Sequence, residues 1–283
     1  MDYSLLDSGE GRKLENFGGV LLDRPEVQAI WAKGNESLWA KADAVFEVPG
    51  GWKLNRNLPG PWQVHVGNFA VFETSLKSFK HTGVFPEQIS NWEWIRKQVE
   101  SSQYKVARKE KIKVLNLFGY TGGATVAAAK AGAEVTHVDS SKPSVTSASN
   151  NAKLNGLESA KIRWIVDDAT AFVNKEIKRG NKYDAIILDP PSFGRGTKGE
   201  VWKIENDLLP LLIMCKKILF PKPTFILLNG YASPYTRKTY AQLLQSVFGF
   251  SESEIESGEL GVVEQGDRAF VLPSGIYARW SSK

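Results

Sequence analysis

The stretch that decides the fold is residues 113–139, KVLNLFGYTGGATVAAAKAGAEVTHVD. An apolar run from Val114 to Phe118 breaks on glycines and continues into an alanine-rich segment, a pattern that indicates a buried strand, a tight turn and a helix. A second apolar run ends on Asp139. The stretch therefore predicts half of a βαβ unit, in which alanines let the helix lie close to the sheet and a ligand binds over the strand ends.

The glycine turn of this unit indicates which ligand it accepts. Backbone without a Cβ can approach a ligand closely, and Asp139, at the tip of the second strand, is placed to accept hydrogen bonds from a ribose. Residues 119–123, GYTGG, match neither the glycine spacing of a dinucleotide site nor that of a P-loop, both of which hold phosphates. The spacing suits a nucleoside without a phosphate, such as S-adenosylmethionine; a plain strand-to-helix turn is the alternative.

Another buried strand ends in a motif with one carboxylate and two prolines. The apolar run Tyr183–Leu188 is followed by residues 189–193, DPPSF. The prolines stiffen the chain that leaves the strand and donate no backbone hydrogen bond. The Asp189 side chain and free carbonyl groups are therefore expected to face one crevice.

At these motifs the chain resembles the class I S-adenosylmethionine-dependent methyltransferases, and more closely the bacterial large-subunit (23S) rRNA methyltransferase group. The resemblance extends over about residues 80–283 and rests on four strings, NLFGYTGG at 116–123, VDSS at 138–141, NG at 155–156 and DPPSF at 189–193. It implies an α/β fold, a doubly wound, mostly parallel, seven-stranded Rossmann-like sheet.

The resemblance also implies the cofactor, S-adenosyl-L-methionine, and residues that contact it. A segment before the first strand would close over the methionine end, which makes Phe85 and Gln88 candidate contacts, with a purely structural role as the alternative. At the third strand tip, Asp168 matches the family's acceptor for the adenine amine better than the adjacent Asp167. The alternative is that these acids cap the next helix, which could hold for Asp167 while Asp168 binds. The predicted cofactor-binding residues are Phe85, Gln88, Asn116, Phe118, Gly119, Tyr120, Thr121, Gly122, Asp139, Ser140, Asp167, Asp168 and Asp189.

Methyl transfer from a sulfonium is an in-line displacement, so the protein mainly has to align the reacting atoms and exclude water. For a base nitrogen, Asp189 and the Pro190 carbonyl would accept the N–H groups while Phe193 stacks on the ring. Asp189, Pro190 and Phe193 are therefore the predicted catalytic residues. Carbon methylation of a pyrimidine would instead need a cysteine at the site, and the single cysteine, Cys215, lies one helix away among apolar residues.

The residues after Phe193 form a glycine-rich basic segment that ends in an aromatic residue, GRGTKGEVWK at 194–203. Its position directly after the catalytic strand makes it the best substrate-loop candidate in the chain. Arg195 and Lys198 can position phosphates, and Trp202 can stack on a base. A flexible loop without such a role is the alternative.

Residues 1–78 show short alternating apolar runs separated by turn signals, which predicts a small β-rich N-terminal domain before a methyltransferase domain at 79–283. Four tryptophans in this first part indicate either aromatic packing or a stacking platform for bases. At the other end of the chain, residues 252–280 predict two strands joined by a turn at Gly266 and Asp267.

Composition limits the class of protein. The chain has 283 residues with 42% hydrophobic content, and no apolar stretch approaches the roughly 18 residues of a membrane span. The N-terminus lacks the features of a signal peptide, so a cytoplasmic location is expected. With one cysteine and three histidines that share no ligand spacing, no metal site is predicted.

The leading hypothesis is methyl transfer to a nucleobase nitrogen of RNA, with rRNA as the target by resemblance. A net charge of +5 permits a polyanionic partner without requiring one. RNA recognition would fall to the N-terminal β domain and the segment after Phe193. The alternatives are the same chemistry on a protein or a small molecule, and a non-catalytic RNA-binding or assembly module that kept the cofactor pocket.

Overall fold

A computed structural model describes residues 2–103, 111–196, 199, 201–231 and 235–282. Its strands are β1 (Tyr3–Gly9), β2 (Arg12–Phe17), β3 (Val20–Pro25), β4 (Ala44–Glu47), β5 (Gly51–Leu54), β6 (Trp62–Val66), β7 (Ala70–Thr74), β8 (Lys113–Leu117), β9 (Glu134–Asp139), β10 (Ile162–Val166), β11 (Ala185–Leu188), β12 (Phe193–Arg195), β13 (Val201–Lys203), β14 (Phe225–Gly230), β15 (Ile255–Val263) and β16 (Val271–Ser281).

Seven α-helices lie within the described residues. They are α1 (Glu36–Trp39), α2 (Ile89–Gln103), α3 (Gly123–Lys130), α4 (Lys142–Leu154), α5 (Ala169–Arg179), α6 (Ile204–Ile218) and α7 (Arg237–Phe248), with short 3-10 turns at Pro86–Gln88 and Glu252–Glu254. Helices α3 to α7 connect strands in the second half of the chain.

A seven-stranded sheet has the order β10-β9-β8-β11-β14-β16-β15. The strands from β10 to β14 pair in parallel, and β16 runs antiparallel to β14. The predicted doubly wound, Rossmann-like fold is therefore confirmed. Because the chain moves from β8 to one side for β9 and β10 and then returns to the other side for β11, the order reverses between β8 and β11, where such sheets bind ligands at their carboxyl ends.

The parallel strands are nearly continuous apolar runs because helices cover both of their faces. On one face, the residues Leu188 and Leu228 join a core with α5, α6 and α7. Small side chains in α3 are fully buried, Ala127 and Ala128 among them. The alanine-rich segment thus forms a helix that packs closely, as its composition predicts.

The chain divides into two compact units, residues 1–89 with 260–274, and residues 90–259 with 275–283. The first unit contains a five-stranded sheet in the order β1-β2-β3-β4-β5 and the hairpin β6-β7, which confirms the predicted β-rich N-terminal part. The domain bounds 1–78 and 79–283 remain a prediction.

The first unit takes its last elements from the end of the chain. Arg268 donates to Asp7 and Glu264, each at 2.6 Å. Leu272 packs with Leu5 and Ala29 in a small core. The tip of the β15–β16 hairpin is therefore an integral part of this unit.

Charge differs between the two units. The first has 10 Lys and Arg against 13 Asp and Glu, a net −3, whereas the second has 26 against 18, a net +8. The basic character of the chain thus lies in the second unit.

Candidate functional site

The glycine turn lies at the carboxyl end of β8. Phe118 and Tyr120 have left-handed backbone conformations with φ of 57° and 47°. The turn is closed by two backbone hydrogen bonds, from Gly119 N to the Val138 carbonyl and from Gly122 N to the Gly119 carbonyl, each 3.0 Å long. Non-glycine residues seldom adopt this conformation, so the surrounding structure must hold the turn in place.

A buried polar chain supports the turn from below. The Asn116 side-chain amide donates to Thr125 Oγ1 at 2.9 Å, and that hydroxyl lies 2.9 Å from His137 Nδ1. The His137 side chain is fully buried, and burial lowers its pKa to about 4. Asn116, predicted as a cofactor contact, is thus 1% exposed and has its amide engaged below the turn.

His137 is a site residue that the sequence did not reveal. A single histidine within an apolar strand belongs to no recognisable motif. From the sequence, His137 was weighed only as a possible metal ligand. The imidazole lies against the Cα of Gly119, where a Cβ would be 2.4 Å from Cε1. Its neutral ring is therefore part of the surface on which the turn packs.

Asp139 at the end of β9 organises the same turn. Its Oδ2 accepts from the Tyr120 backbone N–H at 2.9 Å, and its Oδ1 accepts from the Ser141 N–H at 2.8 Å. Burial raises the pKa of the Asp139 carboxyl, although these two backbone donors act in the opposite direction. Each carboxylate oxygen keeps a further lone pair, so the group can still accept from a ligand hydroxyl.

A cavity of about 280 Å³ opens beside the ends of β8, β9 and β10. Seven residues that the sequence predicted for the site line it, namely Phe118, Asp139, Ser140, Asp167, Asp168, Arg195 and Trp202. It is also lined by Asp207, for which no sequence motif pointed to the site. With four aspartates and one arginine, the lining favours a ligand that carries positive charge and hydroxyl donors.

The two adjacent aspartates have different structural roles. Asp168 is the N-cap of α5, where its Oδ1 accepts from the Ala171 N–H at 2.8 Å. Asp167 pairs with Lys175 at 2.6 Å. The alternative that the two acids cap the helix therefore holds for Asp168 and not for Asp167, because Asp168 has the extended backbone directly before the first helical residue. Their roles toward a ligand stay predictions.

Residues 189–193 leave the end of β11 next to this cavity. Asp189 is half-buried, and its backbone N–H donates to the Leu117 carbonyl at 3.4 Å. Pro190 is buried, whereas Phe193 is 55% exposed. The motif thus places an acid and an accessible aromatic ring at the position where the sheet order reverses.

The segment after Phe193 differs from the loop expected from its glycines. Strands β12 and β13 form an antiparallel ribbon in which Gly194 is opposite Trp202. The Trp202 indole N–H donates to the Pro191 carbonyl at 2.7 Å, and the ring packs on Phe118 at 4.9 Å between centroids. Trp202 is therefore buried against the cavity, because its N–H has its acceptor at Pro191 and not at the surface.

The remaining predicted residues are dispersed. Arg195 is exposed on the ribbon, and Lys198 lies outside the described residues. Phe85 and Gln88 belong to the first unit, where Phe85 packs on His81 at 5.3 Å. Their contacts with a cofactor stay predictions.

Cys215 is fully buried in α6, and burial raises the pKa of its thiol. Among the residues that the structure describes, no group of three or more His, Cys, Asp and Glu side chains is arranged to hold a metal ion. In the same part of the chain, no helix has the length and apolar character needed to cross a membrane.

Comparison with known proteins agrees with this geometry. A family model for S-adenosylmethionine-dependent methyltransferases matches residues 53–231. The crystal structure of a SAM-dependent methyltransferase from Agrobacterium tumefaciens is 40% identical and has a TM-score of 0.89, with all of this chain matched to 91% of that one. SMU.776, crystallised with SAH, is 20% identical with a TM-score of 0.74 over 98% of this chain and 75% of its own, which shows a common fold.

Curated relatives are similar over shorter stretches. Ribosomal RNA large subunit methyltransferase I of Aeromonas salmonicida is 37% identical over 119 residues, 42% of this chain and 28% of the relative. Ribosomal RNA large subunit methyltransferase K/L of Shewanella frigidimarina is 33% identical over 164 residues, 57% of this chain and 21% of the relative. The matches thus span less than a third of each relative's length.

Proposed function

Because the chain belongs to the S-adenosylmethionine-dependent methyltransferase family, we propose that it transfers the methyl group of S-adenosylmethionine to a nucleobase nitrogen of RNA, with rRNA as the substrate. The observation that carries the proposal is the position of Asp189 directly after β11 and of the exposed Phe193 at the start of β12. Pro191 and Gly194 of the same segment line the cavity together with Asp139. An acceptor carboxylate and a stacking surface are what a base nitrogen needs in order to be aimed at a methyl group.

The cavity fits the cofactor on chemical grounds. Asp139 retains lone pairs for ribose hydroxyls. Phe118, which directly precedes the turn 119–123, lines the cavity, and the turn lacks the glycine spacing of a phosphate site. The four lining aspartates suit a ligand with a sulfonium and an ammonium group. The cofactor supplies an activated methyl group on sulfur. The protein's own residues bind it, exclude water and orient the acceptor.

The acceptor atom is proposed to be nitrogen because the chain lacks an available thiol. Attack on pyrimidine carbon requires a nucleophilic cysteine with an accessible thiolate. Cys215 is buried, and its pKa is raised. Asp189 can instead accept an N–H bond of the base while the nitrogen lone pair faces the methyl group.

RNA is proposed as the substrate from the similarity to rRNA methyltransferases and from the charge of the chain. The net +8 of the second unit favours a polyanion, whereas the net −3 of the first does not. We therefore assign the electrostatic part of RNA binding to the second unit, with Arg195 on the ribbon beside the crevice.

The proposal is tested by incubating the protein with methyl-labelled cofactor and separate pools of RNA, protein and metabolites. We expect label in RNA, and in an N-methylated base after digestion to nucleosides. Asp189→Ala provides the blank for each pool. Label in the protein or metabolite pool alone would contradict an RNA substrate, and label in no pool would favour a non-catalytic role.

A further inference from the structure

Tyr240 brings a phenol hydroxyl to the carboxyl end of β14. The residue lies in the first turn of α7, is 1% exposed, and packs in the core of the second unit. A Cβ on Gly230 would be 2.4 Å from the Tyr240 hydroxyl and 2.7 Å from its Cζ. Gly230, the last residue of β14, is therefore replaceable only if the phenol moves.

The register of the sheet brings the end of β11, which leads into Asp189, beside the end of β14, where this hydroxyl lies against Gly230. Strands β11 and β14 run in parallel with Leu188 opposite Leu228, so that the chain beyond each strand emerges at the same edge. Burial and the charge of Asp189 raise the pKa of Tyr240 to about 12, with a further contribution from Tyr235. Tyr240 therefore keeps its proton at neutral pH and is a hydrogen-bond donor within the field of Asp189.

The hydroxyl has no hydrogen-bond partner within residues 2–103, 111–196, 199, 201–231 and 235–282, although the oxygen atom is buried. Buried hydroxyl groups are nearly always paired, because an unpaired one has lost its hydrogen bonds to water. A phenylalanine would fill the same space without that cost. We therefore expect the Tyr240 hydroxyl to form a hydrogen bond in a functional state of the protein.

We propose that Tyr240 is a positioning residue for Asp189, whose carboxylate accepts a hydrogen bond from the Tyr240 hydroxyl once the methyl acceptor occupies the crevice. The inference rests on the proposed role of Asp189 as the group that faces the acceptor. A phenol bond favours the ionised carboxylate and restricts its direction. Asp189 then remains an acceptor for the N–H of the nucleophile at lower pH than it would alone.

The test is Tyr240→Phe, which removes one oxygen atom and keeps the ring. We expect kcat/KM for the acceptor to fall by about tenfold. We also expect the acid limb of the pH profile to move up by about one pH unit, because a tenfold weaker preference for the ionised Asp189 carboxylate raises its pKa by about one unit. Affinity for S-adenosylhomocysteine should stay within about twofold, and the variant should be at least as stable as the parent.

Tyr183→Phe is the matched control. Tyr183 lies in the same core as Tyr240, but near the opposite end of β11. The Tyr183 hydroxyl donates to Glu176 at 2.7 Å. This variant should lose stability and keep the pH profile.

An unchanged profile in Tyr240→Phe, with turnover still lost in Asp189→Ala, would overturn the role of Tyr240 alone. Unchanged turnover in Asp189→Ala would overturn both proposals. The profiles are recorded on whichever acceptor takes the label, so a substrate other than RNA leaves the inference testable.

Discussion

Gly119 lies directly on the imidazole of His137, where a Cβ would approach Nδ1 to 2.6 Å and Cε1 to 2.4 Å. The backbone of Gly119 is not left-handed, so the requirement for glycine is one of space. The turn proposed to face the cofactor thus packs on a buried neutral ring, which itself lies within hydrogen-bond distance of Thr125. This arrangement links a sequence motif to a residue outside it.

Gly119→Ala is expected to weaken cofactor affinity by about tenfold or more, because overpacking of about 1–3 kcal/mol can be relieved by displacing the turn from the ring. Calorimetric titration with S-adenosylhomocysteine measures it. Gly60→Ala is the control, since a Cβ there meets nothing within 4 Å and the backbone is not left-handed. Parent-like affinity in Gly119→Ala would contradict the proposed seating of the turn.

His137 should make the folded protein sensitive to acid. Burial lowers its pKa to about 4, whereas the unfolded chain takes up the proton near pH 6.5. The contribution of neutral His137 to stability is therefore complete above about pH 6.5 and is lost as the pH falls toward 4. Between pH 7.5 and 5 the free energy of unfolding should fall by about 2 kcal/mol from this group.

Urea unfolding of the parent and of His137→Gln at both pH values isolates this effect, because the variant lacks the titrating group. His65→Gln, at an exposed position, should leave the pH dependence as it is. An equal pH dependence in His137→Gln and the parent would show that acid sensitivity arises elsewhere.

Asp139→Ala should weaken cofactor binding by roughly tenfold or more. The change removes the proposed acceptor for ribose hydroxyls. It also removes the acceptors of the Tyr120 and Ser141 backbone N–H groups, and each unpaired group costs about 1–3 kcal/mol. Glu134→Ala tests the other end of the same strand, where the side chain pairs with Lys161. If calorimetry shows the same cofactor affinity for Asp139→Ala and Glu134→Ala, the assignment of Asp139 to the ribose is wrong.

Asp189→Ala should reduce turnover by about 10- to 100-fold while cofactor affinity stays close to that of the parent, because the interaction with the acceptor is realised at the transition state. Single-turnover kinetics and binding are compared on the same preparation. Asp184→Ala is the control at the other end of β11, where the carboxylate accepts from the Lys113 N–H at 2.9 Å. Asp184→Ala should be less stable than the parent and keep its turnover. Equal losses of turnover and of cofactor affinity in Asp189→Ala would instead indicate that Asp189 is a cofactor ligand.

Cys215→Ala should leave turnover unchanged and lower the stability by about 1 kcal/mol or more through the small cavity that it creates. The thiol is fully buried in α6, so it cannot form a bond to a base in the crevice. Nucleoside analysis of the methylated RNA provides the second measurement. Loss of turnover in a folded variant, or recovery of 5-methylcytosine, would show that the chemistry is not nitrogen methylation.

Local patterns predicted the elements that carry the site. The run Val114–Phe118 corresponds to β8, and the two expected strands at the end of the chain are β15 and β16. These predictions succeeded because the spacing of apolar residues and the position of glycine turns are local properties of the chain.

Contacts between distant residues explain what the sequence left open. Trp202 was expected to face a substrate, but the Pro191 carbonyl and the Phe118 ring hold it on the side of the cavity. Asp207 lines the cavity from α6 without any motif around it. Burial of His137 depends on packing among three elements, which no single stretch records.

The first unit is formed from two separate segments of the chain, 1–89 and 260–274, which has a consequence for biosynthesis. Asp7 and Leu5 have partners within the N-terminal part, Trp39 and Ala29 among them, but they gain Arg268 and Leu272 from the tip of the β15–β16 hairpin. At about 5–20 residues per second, a ribosome needs roughly 10 to 40 s to synthesise residues 90–274. The N-terminal strands are therefore synthesised first, but their contacts with the hairpin tip can form only after most of the chain has been made.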